Sequence, residues 1–391
     1  MSARTYDLVL FGATGYTGGL TAEYLARNVP VSTRWALAGR NRSKLEAVRR
    51  QLGAINLAGT ELDLLAADAQ DLDSLRQVAD STRVVITTVG PYLLHGEPLV
   101  AACAAAGTDY VDLTGEPEFV DLMWLRYHEQ AQKSGARLVH CCGFDSIPPD
   151  LGCWFTIQQL PENVPITVEG FVRAYGSFSS GTYQSAINAF AHVREYCRVR
   201  KERKAREPWP VNRRIGSMRG GIRFEKALGT WMVPFPTIDP QVIRRSATEL
   251  ERYGPDFRYG HYLQVKQLSQ VAGLIGGVSA VFLLSQLKPT RQWLLSKKNP
   301  GEGPSPEQRA RGWFRVRFIG QGGGKRVVTE VSGGDPGYGE TAKMLAESGM
   351  CLVFDSLPKR SGQLTPTVAM GNVLIERLQK AGIQFTVVEK R

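Results

Sequence analysis

A doubly wound parallel α/β domain followed by an α+β domain is the fold this sequence predicts, and three observations predict it. Short apolar runs alternate with helical patterns through the first 147 residues, as they do where helices cover both faces of a parallel sheet. A glycine-rich loop follows the first apolar run directly and opens a helix. Past Ile147 the rhythm changes to longer strand-like runs with helices between them, which suits a mostly antiparallel sheet.

Taken in order, Leu8-Val9-Leu10-Phe11 reads as a strand, Thr17 to Asn28 as a helix and Trp35-Ala36-Leu37-Ala38 as a second strand. Ser43 is placed to cap a helix through Leu52, Glu61 to Leu64 is a strand edge, and Leu72 to Ala79 is helical. Val84 to Thr88 makes a fourth strand, Pro98 to Ala106 a helix, Tyr110 to Asp112 a fifth strand, Val120 to Ser134 a helix and Arg137 to His140 a sixth strand. In the second half, Ile166 to Arg173, Trp313 to Ile319 and Arg326 to Val331 are strand-like, the last two flanking a turn over Gly320 to Gly324. Residues 299–308 read as a surface loop. A final helix from Pro366 to Ala381 starts at the cap Thr365 and stops at Gly382. The expected domains are residues 1–147, residues 148–361, and a C-terminal helix and tail over 362–391 that can return to the first domain.

The 391 residues carry 48 Lys and Arg against 37 Asp and Glu, with 43% hydrophobic residues. This composition excludes disorder, collagen-like repeats and a disulfide-stapled miniprotein. The charge is unevenly placed: residues 1–150 hold 13 basic and 18 acidic side chains, so the whole excess of +11 belongs to the later part. Residues 191–220 and 241–300 carry most of it. No helix-turn-helix, zinc-finger or RNA-binding pattern accompanies the charge, and no nucleic-acid partner is expected. Six scattered cysteines without a CxxC pair read as reduced thiols of a cytoplasmic protein, and the five histidines show no metal-ligand spacing. The polar start at Met1 to Asp7 does not look like a signal peptide.

The loop Gly12-Ala13-Thr14-Gly15-Tyr16-Thr17-Gly18 lets backbone amides approach a pyrophosphate, and the helix behind it presents a partial positive charge. Its spacing is GxxGxxG rather than GxGxxG. Strand, loop, helix and second strand in this order identify a Rossmann domain that binds a dinucleotide. After the second strand the chain reads Gly39-Arg40-Asn41-Arg42-Ser43-Lys44, without the acid that would accept from the ribose hydroxyls of NAD. Arg40, assisted by Arg42, Ser43 or Lys44, suits a 2′-phosphate, so NADP(H) is the expected cofactor. Thr88, Val89, Gly90 and Pro91, after the fourth strand, are expected beside the nicotinamide half.

The motifs Phe11-Gly12-Ala13-Thr14-Gly15-Tyr16-Thr17-Gly18, Leu37-Ala38-Gly39-Arg40, Val89-Gly90-Pro91-Tyr92 and Tyr110-Val111-Asp112-Leu113-Thr114-Gly115-Glu116 resemble the saccharopine dehydrogenase-like oxidoreductases. So do Cys142-Gly143-Phe144-Asp145-Ser146-Ile147-Pro148, Ser180-Gly181-Thr182 and Leu364-Thr365-Pro366 with Ala369-Met370-Gly371. Within that group the chain is most similar to the trans-acting enoyl reductases known from mycobacteria. The resemblance implies NADPH-dependent reduction of a lipid-like or polyketide-derived enoyl or carbonyl substrate, free or carried on an acyl carrier. Cys142 and Phe144, in the matched loop, are assigned to the cofactor as well.

Reduction of such a substrate needs a proton as well as a hydride. Tyr92 and His95, after the fourth strand, are the expected donors, with Glu116, Asp145 and Ser146 in neighbouring loops. Asp145 to Asp150 also reads as a helix start capped by Ser146. A saccharopine-type amino-acid dehydrogenase is the alternative; it would need arginines for substrate carboxylates, and Arg173 is the one inward-strand candidate. An NADPH-binding protein without turnover is the third reading.

Residues 271–284 hold fourteen uncharged, mostly apolar residues, fewer than the roughly 20 needed to cross a bilayer. Buried core, the contact of a homodimer and an element dipping into the membrane interface all remain open for them. Lys266, Lys288, Arg291, Lys297 and Lys298 flank the segment, so residues 266–298 are expected to make peripheral contact with anionic head groups on the inner face of the cell membrane.

Overall fold

The structure, a computed structural model, describes residues 4–176, 180–218, 220–226, 228–297 and 303–391. Side chains of residues 180–182, 186, 274 and 275 fall outside that description, as do Lys298, residues 299–302 of the expected surface loop and the side chains of the Ser180-Gly181-Thr182 match. The chain forms two units: residues 1–144, 301–303 and 337–381, and residues 145–300, 304–336 and 382–391.

The first unit is built on seven strands: β1 (Tyr6–Phe11), β2 (Trp35–Gly39), β3 (Asp63–Ala66), β4 (Thr82–Thr87), β5 (Asp109–Val111), β6 (Arg137–Val139) and β14 (Gly362–Leu364). All pairs are parallel, in the order β14-β6-β5-β4-β1-β2-β3. The apolar runs are continuous because both faces are covered: Leu8, Val9, Leu10, Ala36, Leu37, Val85 and Ile86 are all fully buried. Helices α1 (Tyr16–Asn28), α2 (Arg42–Gly53), α3 (Leu72–Ser81), α4 (Tyr92–His95), α5 (Glu97–Ala106) and α6 (Pro117–Ser134) connect the strands. The strand order reverses between β1 and β4, where such sheets open a crevice at their carboxyl ends.

Two local expectations are corrected. Asn41, not Ser43, caps α2, its side-chain oxygen accepting from the Lys44 N–H at 2.9 Å. The strand read at Glu61 to Leu64 begins at Asp63, because a 3₁₀ turn over Leu57–Glu61 comes first. Residues 337–361, assigned by sequence to the second domain, fold with the first unit. They include the long helix α14 (Gly339–Phe354), which lies on the sheet through Gly349: a Cβ there would stand 2.4 Å from Ile86 Cδ1. Helix α15 (Pro366–Lys380) joins the same unit, with Thr365 accepting from the Val368 N–H at its start.

The second unit carries an eight-stranded sheet formed by β7 (Ile166–Tyr175), β8 (Arg214–Ser217), β9 (Arg223–Glu225), β10 (Thr230–Pro234), β11 (Asp256–Val265), β12 (Trp313–Gly322), β13 (Lys325–Gly333) and β15 (Gln384–Lys390). Its order is β15-β13-β12-β7-β11-β10-β9, with β8 against β11. The pairs are antiparallel except that β11 runs parallel to both β7 and β8. The expected glycine turn is tighter than read: only Gly323 and Gly324, both at positive φ, separate β12 from β13. The unit's helices are α7 (Ile147–Ile157), α8 (Ser180–Ala191), α9 (Val193–Arg206), α10 (Asp239–Glu249), α11 (Leu268–Ser285), α12 (Lys288–Leu295) and α13 (Pro306–Ala310). Helix α7 packs closely on the sheet: a Cβ at Gly152 would meet the Phe318 ring at 2.4 Å.

Candidate cofactor and proton-transfer sites

The loop after β1 has the shape a pyrophosphate requires. Gly12 turns at φ +94, and a Cβ there would stand 2.7 Å from Val89 and 2.8 Å from Thr88. A Cβ at Gly18 would lie 2.1 Å from the Gly12 carbonyl oxygen, so α1 starts as close to the turn as its backbone allows. Gly15 differs: it is exposed, at an ordinary φ of −80, and a Cβ there would meet only the Gly12 carbonyl oxygen, at 3.5 Å. Helix α1 begins with no side-chain cap and no acid in its first turn, which leaves its positive end suited to an anion. Ala13 is buried, Thr14 exposed, and Tyr16 and Thr17 half-buried, with the Tyr16 ring edge-on to Tyr338 at 4.8 Å.

On the neighbouring strand the Thr88 hydroxyl donates to the Gly12 carbonyl at 3.1 Å and its N–H to the Phe11 carbonyl at 3.0 Å. The 12–18 loop and the 88–91 loop are therefore tied together across the point where strand order reverses. Val89 and Pro91 are half-buried there and Gly90 is exposed. Arg40 follows the end of β2, exposed and without an ion pair among the described residues. Arg42 instead pairs with Glu46 at 3.2 Å, and Ser43 is exposed in the first turn of α2.

The loop after β4 is held by Glu116. Its carboxylate accepts the backbone N–H of Tyr92 at 3.0 Å and of Leu93 at 2.8 Å, satisfying the start of α4 from a different loop. Tyr92 is not free to give a proton. It is buried, its hydroxyl donates to the Thr87 carbonyl at 3.0 Å, and burial followed by the Asp112 charge drives its pKa well above the ordinary phenol value. His95 ends α4 half-buried.

The matched loop after β6 also behaves differently from expectation. Cys142 is fully buried, its thiol toward the Val139 carbonyl and its N–H on the Asp112 carbonyl, which removes its side chain from contact with a cofactor. Phe144 is half-buried, its N–H donating to Thr341 Oγ1 at 3.1 Å. Asp112 organises this region from beneath. It accepts from the Tyr110 hydroxyl and from the N–H groups of Thr114 and Cys141, and stands 2.6 Å from His140 Nδ1.

A second cluster lies in the other unit. Asp239, at the start of α10, stands 3.2 Å from His261 Nε2 and accepts from the Thr237 hydroxyl at 2.6 Å. His261 Nδ1 is 2.9 Å from the Tyr259 hydroxyl, and its ring stacks on Phe235. The charge of Asp239 also acts on Asp145: desolvation first, and then that charge, raise the Asp145 carboxyl to about 7. Ser146 occupies the position before α7 but does not cap it; its hydroxyl is buried without a hydrogen-bond partner. Asp239 and His261 carry no signal in the sequence, since one opens a helix and the other sits mid-strand.

Residues 8–139 match the saccharopine dehydrogenase NADP binding domain. Across 98% of its length the chain is 38% identical to a Mycobacterium tuberculosis protein named "Putative trans-acting enoyl reductase", covering 97% of that protein. The chain belongs to the saccharopine dehydrogenase-like oxidoreductases. Other relatives are the trans-acting enoyl reductase of Mycobacterium ulcerans, 33% identical over 97% of both chains, and the human saccharopine dehydrogenase-like oxidoreductase, 32% identical over 98% of both. The fold is also that of saccharopine dehydrogenase (L-Glu forming) from Saccharomyces cerevisiae, with a TM-score of 0.55 at 12% identity over 98% of this chain and all of that one. NADP(H) is thus the cofactor of this oxidoreductase, and the uncrowded loop at Gly15 with the unpaired Arg40 fits it.

Proposed function

We propose that the protein reduces the carbon–carbon double bond of a lipid-like or polyketide-derived enoyl substrate, with Asp145 as proton donor. The observation that carries the reading is the 38% identity, over 98% of the chain, to a protein named a putative trans-acting enoyl reductase; Asp145 is chosen as donor because desolvation and the Asp239 charge raise its carboxyl above the usual carboxylate range. When bound, NADPH supplies the hydride, which goes to the β-carbon. The Gly12 to Gly18 turn and α1 would receive the pyrophosphate and Arg40 the 2′-phosphate, and the loop fixed by Glu116 would flank the nicotinamide. Asp145 gives its proton to the α-carbon, so one hydride and one proton saturate the bond, and the carboxylate regains a proton from solvent. The names of the mycobacterial relatives support an enoyl substrate over a simple carbonyl.

The amino-acid dehydrogenase alternative has less support. Arg173, its candidate for a substrate carboxylate, lies with its guanidinium 5.4 Å from the centre of the Trp313 ring. Stopped-flow absorbance of bound NADPH tests the proposal. An α,β-unsaturated acyl thioester is expected to oxidise the cofactor in a single turnover, whereas a 2-oxo acid with an amine, and simple ketones, leave it reduced. Oxidation by a 2-oxo acid with an amine, or by no enoyl thioester of any chain length, would overturn it.

A further inference from the structure

We infer that α11 and α12 attach this protein to an anionic lipid surface by entering one leaflet without crossing it. This goes beyond the reaction proposed above and stands without it.

From Gln267 to Leu287 the chain has no charged residue. In a soluble unit such a helix is expected to be buried, yet α11 is mostly exposed. Of its described side chains only Val271 and Ser285 are buried, while Leu268, Val278, Phe282 and Leu283 are open, Leu283 at 66%. The apolar surface continues beyond the helix, with Leu287 at 64% and Trp293 at 53% exposed. Its inner side rests on α8: Phe190 meets Phe282 edge-on at 5.7 Å, and the Gln286 amide donates to the Phe190 carbonyl. Tyr183 of α8 likewise donates to the Leu294 carbonyl of α12. The result is a small helical platform with an apolar outer face, larger than scattered surface residues would give.

Charge selects the occupant. Between Asp256 and Glu302 the sequence contains no acid but six cations, Arg258, Lys266, Lys288, Arg291, Lys297 and Lys298. Lys266 stands just before the apolar stretch, Lys288 and Arg291 follow it on α12, and Lys297 comes two residues after that helix ends. Apolar residues bounded by cations match hydrocarbon beneath anionic head groups, and Trp293, with Lys297 Nζ 4.5 Å from its ring centre, suits the interface. A protein groove would instead call for a helix with one polar face.

Topology excludes a span. At 1.5 Å per residue, α11 is about 27 Å long, close to the roughly 30 Å of a hydrocarbon core. However, β11 before it and β12 after it both pair with β7 in one sheet, so the two flanks lie on the same side of any membrane. The return path through residues 286–303 carries four cations and cannot recross hydrocarbon.

Cosedimentation of the full chain with phosphatidylcholine vesicles, with and without phosphatidylglycerol, tests the inference. Wild type is expected to pellet with the anionic vesicles and to be released as salt rises from about 0.1 to about 1 M, where the screening length shrinks from ~10 to ~3 Å. Each cation removed by Lys288→Gln, Arg291→Gln or Lys297→Gln should weaken anionic partitioning about fivefold, the equivalent of ~1 kcal/mol. Leu283→Asp with Leu287→Asp, both on the open face, should abolish it while NADPH binding by the other unit stays intact. Brominated acyl chains should quench emission that Trp293→Phe removes. Wild type remaining in the supernatant with both vesicle types would overturn the inference. So would a dimer that the aspartate pair dissociates, or binding to an acidic carrier protein, if either occurs without vesicle binding.

Discussion

The Glu116 carboxylate caps the backbone of Tyr92 from a separate loop, at 3.0 Å, and reaches the next N–H, of Leu93, at 2.8 Å. One buried and one half-buried donor at the start of a four-residue helix thus depend on one side chain, and the 88–95 loop is fixed by that dependence. Glu116→Ala leaves both donors without an acceptor, at about 1–3 kcal/mol for such groups. The expected result is a lower thermal midpoint with NADPH affinity weakened several-fold. Glu116→Gln keeps one acceptor and should fall between. Titration of cofactor fluorescence beside calorimetry checks this; unchanged affinity in a destabilised Glu116→Ala variant would confine Glu116 to folding.

Gly15 and Gly18 answer the same substitution differently. At Gly18 a Cβ would stand 2.1 Å from a backbone oxygen, so Gly18→Ala is expected to destabilise the unit by ~1–3 kcal/mol through overpacking. At Gly15 the backbone is unstrained and the only close atom is at 3.5 Å, so Gly15→Val should fold normally. Its side chain would occupy the space over α1 that a pyrophosphate needs. Binding of NADPH and NADH should both be lost while the melting temperature without cofactor is retained. Retained affinity would refute the placement of the pyrophosphate.

The first unit was legible because its signals are local. The apolar runs of β1, β2 and β4, the turn at Gly12 and the cap at Thr365 each depend on residues a few positions apart. Helix α14 was not legible: nothing near Gly349 in sequence says that it will lie on Ile86. The parallel run of β11 beside β7 is equally silent, since the residues that pair, from Phe257 with Ile166 onward, lie far apart in the chain. Tyr92 looked like a donor because its loop sits at the sheet edge, but the Thr87 carbonyl that engages it belongs to the backbone, which sequence does not place. The raised carboxyl of Asp145 is likewise silent in the sequence, since Asp239, whose charge contributes to it, lies far along the chain.

Arg40 is the side chain proposed to separate NADPH from NADH. It is exposed at the end of β2 and carries no ion pair among the described residues, unlike Arg42 with Glu46. Replacing Arg40 by Ser should weaken NADPH by about 2 kcal/mol, the scale of a charge-assisted hydrogen bond, and leave NADH nearly unchanged. Arg42→Ser should cost much less. Dissociation constants for both cofactors measured with the two variants decide the matter; equal losses for NADPH and NADH would overturn the phosphate role of Arg40.

Asp145 makes a prediction in pH with a fixed sign. Its carboxyl is raised from 3.8 to about 7, so between these values the folded protein holds a proton that the unfolded chain has released. The Asp145 contribution to stability is therefore greatest at low pH and falls as pH rises through about 7. Asp145→Asn, which cannot ionise, should flatten that part of the stability profile and raise stability relative to wild type at pH 8. Activity follows the same group: proton donation needs the acid form, so kcat should decline above about pH 7 in wild type. The variant should lose most of its turnover and this limb of the profile, while its NADPH affinity is unchanged. Chemical denaturation and single-turnover NADPH oxidation, each measured from pH 5 to pH 9, test the two halves separately. A flattened stability profile with normal turnover would leave Asp145 as an acid that matters for stability alone and move proton donation to His95.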